Sequence, residues 1–248
     1  MGKIKVSAVS YTNTLPFLQG IKASQKLLEQ IDLSVDVPAE CARKVIHHEA
    51  DLGIIPVAAL SRMSEYHIVT DFCIGSDGPV DSVFIFSCKP IEEIESLRLD
   101  YQSRTSNGLA RILLKHYWKR EVSVTMEGVA DAYVLIGDRT FGQKETVPYV
   151  YDLGEIWKQF TGLPFAYAVW VSNKKLSEDF VHDFNAALKD GVSHPKDVIP
   201  GLKAYPNFDY EEYLTAYLDF NLDDDKREAI SKYLELYKGL EEIDFKCV

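Results

Sequence analysis

Long hydrophobic runs are missing from this chain. No stretch approaches the roughly 18 consecutive apolar residues that a membrane span needs, so no partnership with a membrane is expected. The opening Met1-Gly2-Lys3-Ile4-Lys5-Val6 has neither the apolar core nor the small-residue cleavage site of a secretory leader, and a chain without an export signal is expected. Val6 stands where a myristoylation signal needs Ser or Thr. Cysteine is scarce. Cys41, Cys73, Cys88 and Cys247 form no C-x-x-C pair and have no His at ligand spacing, so neither a disulfide framework nor a metal site is expected. The first three lie in apolar stretches and read as buried free thiols, which fits a reducing cytoplasm. Basic charge is also short: 27 Lys and Arg face 38 Asp and Glu, a formal net charge of -11. That balance argues against non-specific nucleic-acid binding, which needs a cationic surface. It leaves room for an anionic ligand held by a few backbone N–H groups or one Arg. Dinucleotide, Walker, zincin and nucleophile-elbow motifs are all absent, and with them any expected cofactor. Six scattered histidines suggest no poised base, and no carboxylate pair stands out as an acid-base dyad.

What is present is an alternation of short apolar strands and amphipathic helices. Apolar residues make up 46% of the 248 and charged residues 26%, an ordinary globular composition. Strands are expected near residues 4–10, 33–37, 51–57, 67–74, 82–88, 97–100, 122–126, 132–136, 149–153 and 165–171. Helices are expected at 18–28, after Pro38 to 48, in a short acidic turn at 90–96, at 105–119 and at 154–161. Leu109, Ile112 and Leu113 give the helix over 105–119 its apolar stripe. From Ser177 onward the pattern is helical, at 177–191, 210–218 and 223–239, with Glu178-Asp179 and Asp223-Asp224-Asp225 placing negative charge at helix starts. Strands alternating with helices imply an α/β fold with largely parallel sheets. The order suggests two lobes: residues 1–85 and 172–248 in one, 86–171 in the other.

Four polar segments carry more detail than a core requires. Ser10-Tyr11-Thr12-Asn13-Thr14-Leu15-Pro16 follows the first strand, at the carboxyl end where open α/β sheets bind ligands; it also reads as a helix-capping loop. Gly78-Pro79-Val80-Asp81-Ser82 is a turn feeding a strand that would cross between lobes. Ser103-Arg104-Thr105-Ser106 sets hydroxyls, a guanidinium and free N–H groups at a helix start, which suits a carboxylate or phosphate as well as a plain cap. Ile136-Gly137-Asp138 ends a strand, as a turn or as one wall of a cleft.

Together with Asp51-Leu52-Gly53-Ile54-Ile55-Pro56-Val57 and the run from Asp152-Leu153-Gly154 through Trp157 to Thr161-Gly162-Leu163-Pro164-Phe165, these segments stand in the order seen in chorismate dehydratases. The resemblance covers about residues 4–172. It implies a two-lobed periplasmic-binding-protein-like type II fold with substrate in the cleft. It also implies conversion of chorismate to 3-[(1-carboxyvinyl)oxy]benzoate and water, on the futalosine route to menaquinone. By the same resemblance Asn13 matches a catalytically important Asn, Ser82 a serine that contacts substrate, and Ser103, Arg104, Thr105 and Ser106 the loop that holds a substrate carboxylate. Tyr11, Pro56 and Asp138 complete the implied substrate site. Thr12, Asn107-Gly108 and Arg139-Thr140-Phe141 depart from the family's usual residues and bear on local cleft shape. With no base in view, the substrate's own enolpyruvyl carboxylate is expected to take the proton, while the protein orients and neutralises.

Three other readings stay open. The sibling lyase 1,4-dihydroxy-6-naphthoate synthase shares the fold but uses a His that none here matches in context. A small-anion solute-binding protein would need no chemistry, and the fold alone favours it. A regulator's sensor domain would bring a DNA-reading motif and a basic face, and neither is present.

Overall fold

The structure, a computed structural model, describes residues 2–240. Cys247 lies outside them. The chain opens with β1 (Ile4–Val9), α1 (Leu15–Ala23), α2 (Gln25–Gln30), β2 (Ile31–Asp36), α3 (Pro38–Ile46), β3 (Leu52–Pro56) and β4 (His67–Ser76). It then builds β5 (Val83–Ser87), β6 (Ser96–Arg98), α4 (Arg104–His116), β7 (Ser123–Thr125), β8 (Ala132–Ile136), β9 (Tyr149–Asp152) and α5 (Leu153–Thr161). After β10 (Phe165–Ser172) come α6 (Glu178–Ser193), the short α7 (Tyr210–Glu212), β11 (Asp219–Asn221) and α8 (Asp224–Lys238).

Two sheets result. One runs β11-β4-β10-β3-β1-β2 and the other β7-β6-β8-β5-β9. Every residue of β3 is buried, as a strand covered on both faces requires, and its uninterrupted apolar run is the sequence sign of that position. The chain leaves the first sheet between β4 and β5 and returns between α5 and β10, so β5 lies wholly in the second sheet and β10 wholly in the first. The sequence reading set these crossings at 85/86 and 171/172.

The sheets are mixed where largely parallel ones were expected. Pairs β1–β2, β1–β3, β6–β7 and β6–β8 are parallel, while β10–β3, β10–β4, β11–β4, β5–β8 and β5–β9 are antiparallel. Apolar patterning carries no strand direction, and a strand that returns from the other sheet can enter either way. Helix boundaries shift for local reasons. The helix expected at 18–28 is two helices, because Ser24 breaks it and caps α2, accepting from the Leu27 N–H at 3.4 Å. The acidic segment at 90–96 forms only a 3-10 turn, Ile91–Glu93. The tail is not purely helical: β11 extends the first sheet, and residues 213–217 form a π-helical turn. Cys41 and Cys73 are buried free thiols, but Cys88 is exposed, because it follows β5 at the sheet's rim.

α8 holds β11 through a buried lysine. Lys226 is fully buried, and its Nζ meets Asp219 Oδ2 at 2.5 Å and Asp223 Oδ2 at 3.2 Å. Removing one partner of a buried ion pair typically costs about 3–5 kcal/mol, but here both carboxylates keep access to solvent. Lys226→Ala is therefore expected to lower unfolding free energy by about 2 kcal/mol in urea titration, with an unchanged m-value.

Candidate functional site

A cavity of about 60 Å³ lies between the two sheets. The first sheet's side supplies Tyr11, Asn13 and Thr14 after β1, Pro56 at the end of β3, and Tyr167 of β10. The facing side supplies Ser82, Ser103, Ser106 and Gly137. Strand ends and helix starts bring these groups together because side chains there face the gap between layers instead of the core. All of the lining residues are uncharged.

Ser103 caps α4, its Oγ accepting from the Ser106 N–H at 3.1 Å. The Ser103 hydroxyl donates in turn to Ser106 Oγ at 2.9 Å. Ser106 lines the cavity beside the first-turn N–H groups of α4. Such an arrangement favours an anion, through oriented donors and the helix dipole. Thr105 turns the other way, its Oγ1 accepting from the Ala58 N–H at 3.0 Å and tying α4 to the turn after β3. Arg104 is half-buried in the first turn of α4 and lies outside the cavity lining.

The mouth is bridged by the protein itself. Asp138 does not line the cavity; its carboxylate accepts from the Thr12 N–H at 3.1 Å and from Thr12 Oγ1 at 2.9 Å. Burial raises the Asp138 pKa, and the two Thr12 donors work against that rise. The Tyr11 hydroxyl donates to Gln102 Oε1. Burial pushes this phenol up to about 12, which keeps it protonated as a donor. Behind it Arg139 Nη2 meets both Asp100 oxygens, at 2.9 and 2.7 Å. Gly137 makes the approach possible. Its φ is 63°, and a Cβ there would press on the Tyr11 ring at 2.9 Å. Asp138→Ala would remove a charged acceptor from the mouth. It is expected to lower the unfolding free energy by about 1.5–3 kcal/mol in urea titration, the usual worth of a hydrogen bond to a charged group.

At the crossing between sheets, Asp152 accepts backbone N–H bonds from Val80, Asp81, Gly154 and Glu155. Burial lifts its pKa to about 6 against those four donors. Asp152 thus binds the turn before Ser82 to the start of α5.

Of the residues singled out from sequence, Tyr11, Asn13, Pro56, Ser82, Ser103 and Ser106 meet around one cavity, whereas Arg104, Thr105 and Asp138 stand behind or beside it. Sequence reasoning missed Thr14 and Tyr167 in the wall, Gln102 at the mouth, and Tyr213 behind the wall. Tyr213 is fully buried and donates to Ser82 Oγ at 3.0 Å. A tyrosine in a helical pattern reads as core, and nothing local marks it otherwise.

Two mixed sheets joined by two crossings of the chain, with a largely apolar cleft that carries a few hydroxyls and one amide at their junction, define a periplasmic-binding-protein-like fold. An Archaeoglobus fulgidus protein superposes with a TM-score of 0.73 at 14% identity, over 96% of this chain and 97% of its own. A Candida albicans gene product, described as having the generic periplasmic binding protein structural fold, superposes with a TM-score of 0.61 at 13% identity, over 98% and 92%. Residues 4–239 match the family model described as menaquinone biosynthesis, and the chain belongs to that family. A curated relative, the chorismate dehydratase of Thermus thermophilus, is 27% identical over 192 residues, 65% of this chain and 69% of its own.

Proposed function

We propose that this chain is a chorismate dehydratase, a hydro-lyase that converts chorismate to 3-[(1-carboxyvinyl)oxy]benzoate and water. The observation that carries the reading is the convergence of Asn13, Ser82, Ser103 and Ser106, from three distant segments, on one uncharged cavity in a chain of this family. Ser106 and the first N–H groups of α4 hold one carboxylate of the substrate. Asn13 and Ser82 address the ring hydroxyl and the enolpyruvyl carboxylate. Because the wall offers neither imidazole nor carboxylate, the base is the substrate's own enolpyruvyl carboxylate, which takes the ring proton. The electrons of that C–H bond form the new ring double bond as the C–O bond breaks. Proton and hydroxide leave as water. Aromatisation supplies the driving force, and the protein supplies orientation and preorganised donors.

Closure at the mouth by Tyr11, Thr12 and Asp138 excludes water from the elimination. The two crossings between sheets serve as hinges of two lobes, and Arg104, Thr105 and Asp138 act at their contacts. A cytoplasmic location belongs to the same proposal, since chorismate is an intracellular metabolite in this reading. The test is incubation of purified protein with chorismate, followed by absorbance and mass spectrometry. The expected product has lost one water and gained an aromatic spectrum. Unchanged chorismate with a folded, ligand-competent sample would overturn the reading.

A further inference from the structure

We infer that Tyr213 is a positioning residue for this elimination, a buried phenol that fixes the hydroxyl of Ser82. The inference rests on the reading of the cleft given above. Tyr213 comes from the far end of the chain, 131 residues from Ser82, and is completely buried. Its hydroxyl donates to Ser82 Oγ at 3.0 Å. Burial raises the pKa of this phenol, which keeps it protonated as the donor.

The same phenol directs Ser82. With its oxygen already accepting from Tyr213, the Ser82 hydroxyl has its proton to give. It gives that proton to Val80 O over 3.4 Å, a long bond that a substrate oxygen readily replaces. The backbone around Tyr213 is built to place it. Leu218 N bonds Tyr213 O at 3.1 Å in the i to i+5 pattern of a π-turn, a feature that recurs at functional sites. The ring is wedged against Phe141 and Phe208, with centroids at 5.3 and 5.4 Å, and those two rings stack on each other at 3.7 Å. Phe141 is one wall of this nest.

The test is Tyr213→Phe in the full chain. The ring and its nest stay, and only the hydroxyl goes. Turnover of chorismate is expected to fall about 10–100-fold, with KM changed less than about threefold. In a Ser82→Ala background the same change is expected to cost less than about twofold, because the group it positions is gone. A merely structural phenol would cost the same factor in both backgrounds, and that result, or wild-type turnover by Tyr213→Phe, overturns the inference. A second readout needs no turnover. A crystal structure of Tyr213→Phe is expected to show the Ser82 hydroxyl turned away from its place in the wild-type protein, and an unmoved hydroxyl overturns the inference. Should Tyr213→Phe not fold, Ser82→Ala, which keeps the phenol and removes its acceptor, is expected to show the same loss of turnover, about 10–100-fold, and near-normal turnover overturns the inference. Inactivity of the wild-type protein on chorismate would count against the proposed function, and the position of the Ser82 hydroxyl would still decide the positioning role.

Discussion

Asn13→Ala is expected to lower turnover of chorismate by about 10²–10³-fold while leaving the fold intact, the range seen when one preorganised donor is removed from a developing negative charge. The expectation follows from what Asn13 touches. It sits in a 3-10 turn after β1, half-buried, where it lines the cavity and its Oδ1 accepts from Thr14 Oγ1. Truncation therefore leaves the sheets untouched and removes one donor from the wall. Steady-state kinetics with circular dichroism and thermal melting would check it. A melting point within a few degrees of wild type, together with the lost turnover, places the effect in the reaction. Near-normal turnover would remove Asn13 from the mechanism. Asn13→Asp is the stricter variant, since it keeps the shape but sets a negative charge against a dianionic substrate. Its KM is expected to rise as its turnover falls.

Gly20→Ala is expected to destabilise the protein by about 3 kcal/mol or more, placing it among the most damaging single substitutions. α1 and α6 cross with their backbones in contact. A Cβ on Gly20 would intrude on the carbonyl oxygen of Ala187, and one on Gly191 would intrude on the carbonyl oxygen of Pro16. Neither obstacle is a flexible side chain, so a single methyl group must push two helices apart. That movement also disturbs Phe17, whose ring packs edge-on against Trp170 and Phe220 at 5.9 and 5.3 Å. Urea titration reads the loss, and Gly191→Ala should match it. Stability within about 1 kcal/mol of wild type for both would mean that the crossing relaxes freely.

The positions of these glycines show what a sequence withholds. Gly191 closes the expected helix at 177–191 because glycine near a helix end reads as a stop. In the structure α6 continues to Ser193, and the residue is small because α1 lies against it. Local signals were reliable where the cause is local. Ser103 caps α4, Asp152 caps α5, Pro38 opens α3, and the buried run of β3 lies where its apolar pattern put it. The polar segments after β1 and before α4 stood out because hydroxyls and an amide at element ends have no packing role. Strand direction, the membership of β11 in the first sheet, and the Thr12–Asp138 contact across 126 residues have no local cause. Tyr213 is the sharpest instance. One of 14 tyrosines, it is distinguished only by what the fold sets beside it.

The bridges at the cleft mouth have a kinetic consequence. Tyr11 to Gln102 and Thr12 to Asp138 are contacts of protein with protein and need no ligand to form. Each such bond lowers the free energy of the arrangement the structure shows, and a ligand that binds this arrangement has that much less to supply. What is gained in affinity is surrendered in access. Under the function proposed for the chain, entry and release both wait for those bridges to part, so the rhythm of breathing at the mouth sets an upper bound on the cycle however fast the chemical step becomes.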